Sequence, residues 1–182
     1  MKRRIKALFL CLTIAAVSLA GCVQKHKTME TPDDGWTMKE LLSVTYLCDN
    51  QLSYPLTAES LGKDFSVDKD VMKIGDHLVT DMNYKGEYFA PCIFGTDKNT
   101  EQSLEYFLSF VVDKPDNAKG FSFSINGIGF DSSKEEICSA LGEPDDQNVT
   151  AGSFTYHDRE DRSRQLHIIF DGNYPMEFSF AC

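Results

Sequence analysis

Beyond Trp36 the apolar residues fall into two rhythms, one close to a helical turn and one of period two. The helical rhythm follows two similar openings. Thr37-Met38-Lys39-Glu40-Leu41-Leu42 and Ser132-Ser133-Lys134-Glu135-Glu136-Ile137 both read hydroxyl, any residue, Lys, Glu, any residue, Leu or Ile. A hydroxyl followed three positions later by a glutamate is a capping box: the hydroxyl accepts from an orphan amide of the first turn and the carboxylate reaches back to the cap. In the first predicted helix Leu41, Val44 and Cys48 form one apolar face. In the second Ile137 and Leu141 do so, before Gly142 stops it and Pro144 prevents its resumption.

The period-two rhythm predicts strands. After the first helix come 77–84, a Lys85-Gly86 turn, 87–94 and 104–112, where Leu104, Tyr106, Leu108, Phe110 and Val112 share one face. Phe121, Phe123 and Ile125 alternate with serines. After the second helix come 153–157, 165–170, an Asp171-Gly172 turn and 174–180. Alternation with tight turns means antiparallel strands with one buried face. The expected class is α+β: two tandem units, 36–118 and 119–182, each a helical element packed on a small antiparallel sheet.

The N-terminus has a different character. Lys2, Arg3, Arg4 and Lys6 precede an apolar run from Ala7 to Ala20, which is too short to span a bilayer and reads as an export signal over 1–21. Leu19-Ala20-Gly21-Cys22 resembles the lipobox of bacterial lipoproteins, which implies lipid attachment at Cys22 and a place on the extracytoplasmic face of the cell membrane. Residues 22–35 are polar and aperiodic, and are expected to be a flexible tether. Removing the signal takes four cations from a net charge of −10, leaving −14. Such a surface repels phosphate backbones, so no nucleic-acid partner is expected.

A second resemblance follows from Ile125-Asn126-Gly127-Ile128-Gly129-Phe130-Asp131 through Ile137, Leu141-Gly142-Glu143-Pro144 and Phe170-Asp171-Gly172. This run is similar to the tandem repeats of β-lactamase-inhibitory protein and of the small outer-membrane-assembly lipoproteins. The likeness covers about 121–182, with a loose counterpart in the first half. It implies a binding or scaffolding module with no chemistry of its own.

Candidate chemistry is sparse. His26, His77, His157 and His167 show no metal-ligand spacing, and His77 and His167 take outward strand positions. No nucleophile elbow or phosphate loop is present. The alternating charges of Asp158-Arg159-Glu160-Asp161-Arg162 read as an exposed hairpin tip. No catalytic residue, metal or cofactor is nominated. Cys48, Cys92, Cys138 and Cys182 would be exported, where disulfides persist. Equal separations and partly matching flanks pair Cys48 with Cys92 and Cys138 with Cys182. Among the many aromatics, Tyr84, Tyr88 and Tyr174 are candidates for a concave partner surface, since tyrosine buries area and keeps a polar tip. The expected function is non-enzymatic binding of a protein or envelope partner. The alternatives are a small-molecule or peptide receptor and, third, an envelope hydrolase.

Overall fold

The computed structural model describes residues 26–74, 77–95, 107–113 and 121–182; the export signal, Cys22, Leu104 and Tyr106 lie outside the described residues. Within them the chain is mostly strand. In order come α1 (Met38–Ser43), β1 (Thr45–Leu47), β2 (Asn50–Gln51), a 3-10 turn (Glu59–Leu61), β3 (Phe65–Val67), β4 (Met72–Ile74), β5 (His77–Tyr84), β6 (Glu87–Gly95) and β7 (Phe107–Asp113). Then follow β8 (Phe123–Ile125), α2 (Lys134–Leu141), β9 (Asp146–Asn148), β10 (Ser153–His157), β11 (Gln165–Asp171) and β12 (Tyr174–Ala181).

This corrects the expected class. Instead of two small sheets with a helix each, one nine-stranded antiparallel sheet runs β3-β5-β6-β7-β12-β11-β10-β9, with β4 beside β5. The decisive junction is β7 against β12, where Val112 opposes Phe178 and Asp113 opposes Glu177. A second sheet, β2-β1-β8, is equally mixed in origin, pairing Tyr46 with Ser124. The helices have six and eight residues, too little to cover such a sheet. The small sheet does part of that work: the Phe123 ring lies 4.7 Å from that of Phe178.

The core is one cluster. From the large sheet it takes Leu78, Met82, Phe94, Val112, Leu166, Ile168, Phe178 and Phe180; from the covering layer, Trp36, Met38, Leu41, Leu42, Leu47, Ile125, Ile137 and Leu141. Strand pattern and burial agree in β5, where Leu78, Thr80, Met82 and Tyr84 are buried and the residues between them are not.

Three local expectations change. α1 ends at Ser43, and Cys48 sits beyond β1 in a turn with φ of +49°, so it is not on a helical face. The second capping box uses Ser133 and Glu136, one position later than expected, while Ser132 Oγ accepts from Gly129 N at 3.1 Å. Asp158 is not at an exposed tip but is 1% exposed. Its Oδ2 accepts from Met38 N at 2.8 Å and its Oδ1 from Glu160 N at 2.7 Å. Arg159 Nη1 donates to Gly35 O at 2.6 Å and pairs with Glu40 at 3.0 Å. Burial works against charge on Glu40, but donors from Thr37 and then Arg159 hold its carboxyl below the ordinary value.

The expected tether is, from His26 onward, a docked strap. The His26 ring stacks on Tyr46 at 4.0 Å, and its nitrogens meet Ser124 Oγ at 2.8 Å and Asp49 Oδ1 at 3.2 Å. Asn126 grips the strap as a strand neighbour would: its Oδ1 accepts from Met29 N at 2.7 Å, and its Nδ2 donates to Met29 O at 3.0 Å and to Ala140 O at 2.7 Å. Trp36 then enters the core and donates Nε1–H to Leu141 O at 2.8 Å. Gly142 ends α2 with φ of +86°; a Cβ there would also lie 3.0 Å from Thr31 Cγ2 of the strap.

Replacing Asn126 removes three hydrogen bonds at a position with φ of +48°, where asparagine is tolerated better than alanine. At about 1 kcal/mol per bond, Asn126→Ala is expected to lower unfolding free energy by about 2–4 kcal/mol in urea titrations. A loss below about 1 kcal/mol would show that the strap is not held by this side chain.

Candidate functional site

Because strand residues alternate, the large sheet has a second face made of the positions that do not enter the core. The registers assign Val79, Asp81 and Asn83 of β5, Tyr88, Pro91 and Ile93 of β6, Val111 and Asp113 of β7, and Glu177 and Ser179 of β12 to it. His167 and Ile169 of β11 and Thr155 of β10 continue it. Among the described residues, its strand positions hold Asp81, Asp113, Glu177 and Asp146 but neither lysine nor arginine. Val79, Ile93, Val111 and Ile169 are partly exposed there, and Tyr88 is 63% exposed.

The electrostatics of this face are strained at its centre. Asp113 and Glu177 oppose each other across β7 and β12. Burial raises the Asp113 carboxyl above its ordinary value; burial and then the charge of Asp113 raise that of Glu177. Tyr88 is raised by burial, then by Asp81 and Asp113, which places its phenol in the same negative field. Asp146 is held differently, meeting His157 Nε2 at 2.9 Å. His167 is lowered by burial and meets Thr155 Oγ1 at 2.9 Å.

The three candidate tyrosines separate. Tyr88 and Tyr174 are exposed. Tyr84 is not: at 7% exposure it packs edge-on to Phe89 and Phe121 and beside Phe65, so it belongs to the core and is removed from the partner surface. Tyr174 stands past a bulge at which Ile169 pairs with Glu177 but Phe170 with Pro175, and this bulge leaves Met176 exposed instead of inward. The turn chemistry around Asp171-Gly172 was legible; the bulge was not.

The four cysteines are free thiols, so the expected pairs are not formed in this structure. Cys92 donates to Thr80 O at 3.4 Å, and burial pushes its thiol up to about 12. Burial also takes Cys182 to about 12 and raises Cys138, with Glu143 adding to the latter. Thiols shifted this way form little thiolate and are poor nucleophiles. Among the described residues no three His, Cys, Asp or Glu side chains converge as metal ligands. No helix among them is long and apolar enough to cross a membrane.

One cleft of about 560 Å³ lies between the strap and α2, lined by Asp33, Asp34, Trp36, Glu143, Asp145 and Tyr156 among others. Two of its carboxylates are already engaged: Asp34 with Arg159 at 3.3 Å, and Asp145 with His157 N at 2.8 Å. Tyr156 donates to Gly142 O at 3.1 Å. These bonds tie the lining of the cleft together, with Asp34 holding the strap to Arg159 and Asp145 and Tyr156 holding β10. Compared with family models, with curated proteins and with solved structures, the chain matches none.

Like charges directly opposite on a sheet destabilise it. With both carboxyls raised, the native chain binds more protons than the unfolded one between the ordinary carboxylate range and the raised values. Their contribution to stability therefore falls as pH rises through that window. Asp113→Asn should stabilise the protein at pH 7 by about 0.5 kcal/mol, with the gain shrinking towards pH 4. Urea midpoints of both proteins at the two pH values test this; a loss at pH 7, or a gain independent of pH, contradicts it.

Proposed function

We propose that this chain is a membrane-anchored extracytoplasmic binding module, without catalysis, that takes a protein partner on the open face of its large sheet. The observation that carries this reading is the charge of that face. Asp81, Asp113 and Glu177 stand among partly exposed Val79, Tyr88, Ile93 and Val111, and two of the acids oppose each other at a cost to folding. A partner with lysine or arginine set among apolar side chains would relieve that repulsion and bury the tyrosine. Aromatic anchors with a polar tip and complementary charge favour such contacts. The anchor is the lipidated Cys22 implied by the lipobox. The raised thiols disfavour a cysteine nucleophile in particular.

Charge reversal on the face tests the reading. In pull-downs from solubilised envelope, Asp113→Lys combined with Glu177→Lys should abolish capture of the partner that wild type retains, and Tyr88→Ala should weaken it at least tenfold. Glu160→Lys, at the exposed hairpin, should leave capture unchanged. If the face variants retain the partner, or the hairpin variant loses it equally, the sheet face is not the binding surface.

A further inference from the structure

The strap fixes more than stability, because it begins close to the lipid site. Only three residues separate Cys22 from His26, so an extended chain between them spans at most about 14 Å. His26 is not free to move away from the body. Its ring lies flat on Tyr46 and its two nitrogens reach Ser124 and Asp49, while Lys27 N donates to the Tyr46 hydroxyl at 3.0 Å.

The side on which this happens is set by alternation in the small sheet. Thr45 and Leu47 of β1, with Phe123 and Ile125 of β8, are buried against the large sheet; Tyr46 and Ser124 between them point the other way. The molecule is therefore layered. The open face of the large sheet comes first, then its core face, then the small sheet, then the strap, whose His26 is separated from Cys22 by only three residues. Stacked sheets lie about 10 Å apart, so the two outer surfaces are well separated.

We infer that the body rests against the lipid surface on its strap side, through the Tyr46, Asp49 and Lys27 region, and turns the acidic sheet face away from the bilayer. This rests on lipid attachment at Cys22. Charge agrees with the orientation. Lys27 follows His26 on the strap, where a cation can meet headgroup phosphates, while Asp81, Asp113 and Glu177 lie on the far face of the large sheet. The reverse orientation would press those carboxylates towards an anionic surface, which is unfavourable at close range. The partner of the sheet face then has to come from the aqueous side or from an opposing structure, not from within the same bilayer.

The experiment uses the full-length, lipidated protein in phosphatidylcholine vesicles that carry a headgroup nitroxide lipid. A fluorescent amino acid is introduced at Asp49 in one sample and at Tyr88 in another, and quenching is compared with nitroxide-free vesicles. The expected result is loss of more than half the emission at position 49 and less than a tenth at position 88. Equal quenching, stronger quenching at 88, or none at either site in vesicle-bound protein overturns the orientation. Failure of the protein to sediment with vesicles, with Cys22→Ser behaving as wild type does, overturns the anchoring itself and the orientation with it.

Discussion

The carboxylate of Asp158, nearly devoid of solvent contact, is the joint between the two ends of this chain. Such a group is stable inside a protein only when its oxygens are saturated with donors. Here the donors are Met38 N at the start of α1 and the amides of Glu160 and Asp161, with Arg164 at 3.8 Å. α1 has only six residues and leaves its own first amides unsatisfied unless something outside meets them. The hairpin tip and the helix therefore solve each other's problem. Once they are joined, Trp36 is placed over Leu141 and Arg159 is placed against Gly35 and Glu40. Displacing one partner strands the other.

From that joint the layering follows. Two short helices cannot cover nine strands, so β1 and β8, from the two halves of the sequence, form a second sheet over part of the core. The strap closes the outside of that layer through Asn126. Among the described residues the covering elements all lie on one side. Among the described residues the other side carries an alternating set of partly exposed aliphatics, an exposed tyrosine and the acids Asp81, Asp113 and Glu177 without a lysine or arginine in its strand positions.

How much of this the residues reveal in advance depends on range. β5, β6, β10, β11 and β12 were readable because their alternation is local and because Lys85-Gly86 joins β5 to β6 and Asp171-Gly172 joins β11 to β12. The helix starts were readable because a capping box is a four-residue device, although two adjacent serines made the second one ambiguous by a position. The continuous sheet was not readable. It depends on β7 meeting β12, and nothing in either strand names its neighbour. Of the small sheet, β8 was readable from the alternation of Phe121, Phe123 and Ile125, but β1 and β2, with three and two residues, carry no period. Tyr88 could be nominated from sequence, but the opposition of Asp113 and Glu177 needs a non-local register. The strap looked like a tether because the partners that hold it, Ser124, Asn126 and Leu141 among them, lie about a hundred residues away. Asp158 looked exposed because its neighbours in sequence are charged, whereas its burial comes from a helix that lies elsewhere.

The strap and α1 are held to the large sheet as one cooperative body. Native-state hydrogen exchange at single amides measures this most directly. The amides of Met29 and Met38, bonded to Asn126 and Asp158, should exchange with protection comparable to those of Leu166 and Ile168 in β11, and should lose it together with them as denaturant is added. Exchange of Met29 and Met38 at unprotected rates, while β11 stays protected, would contradict it.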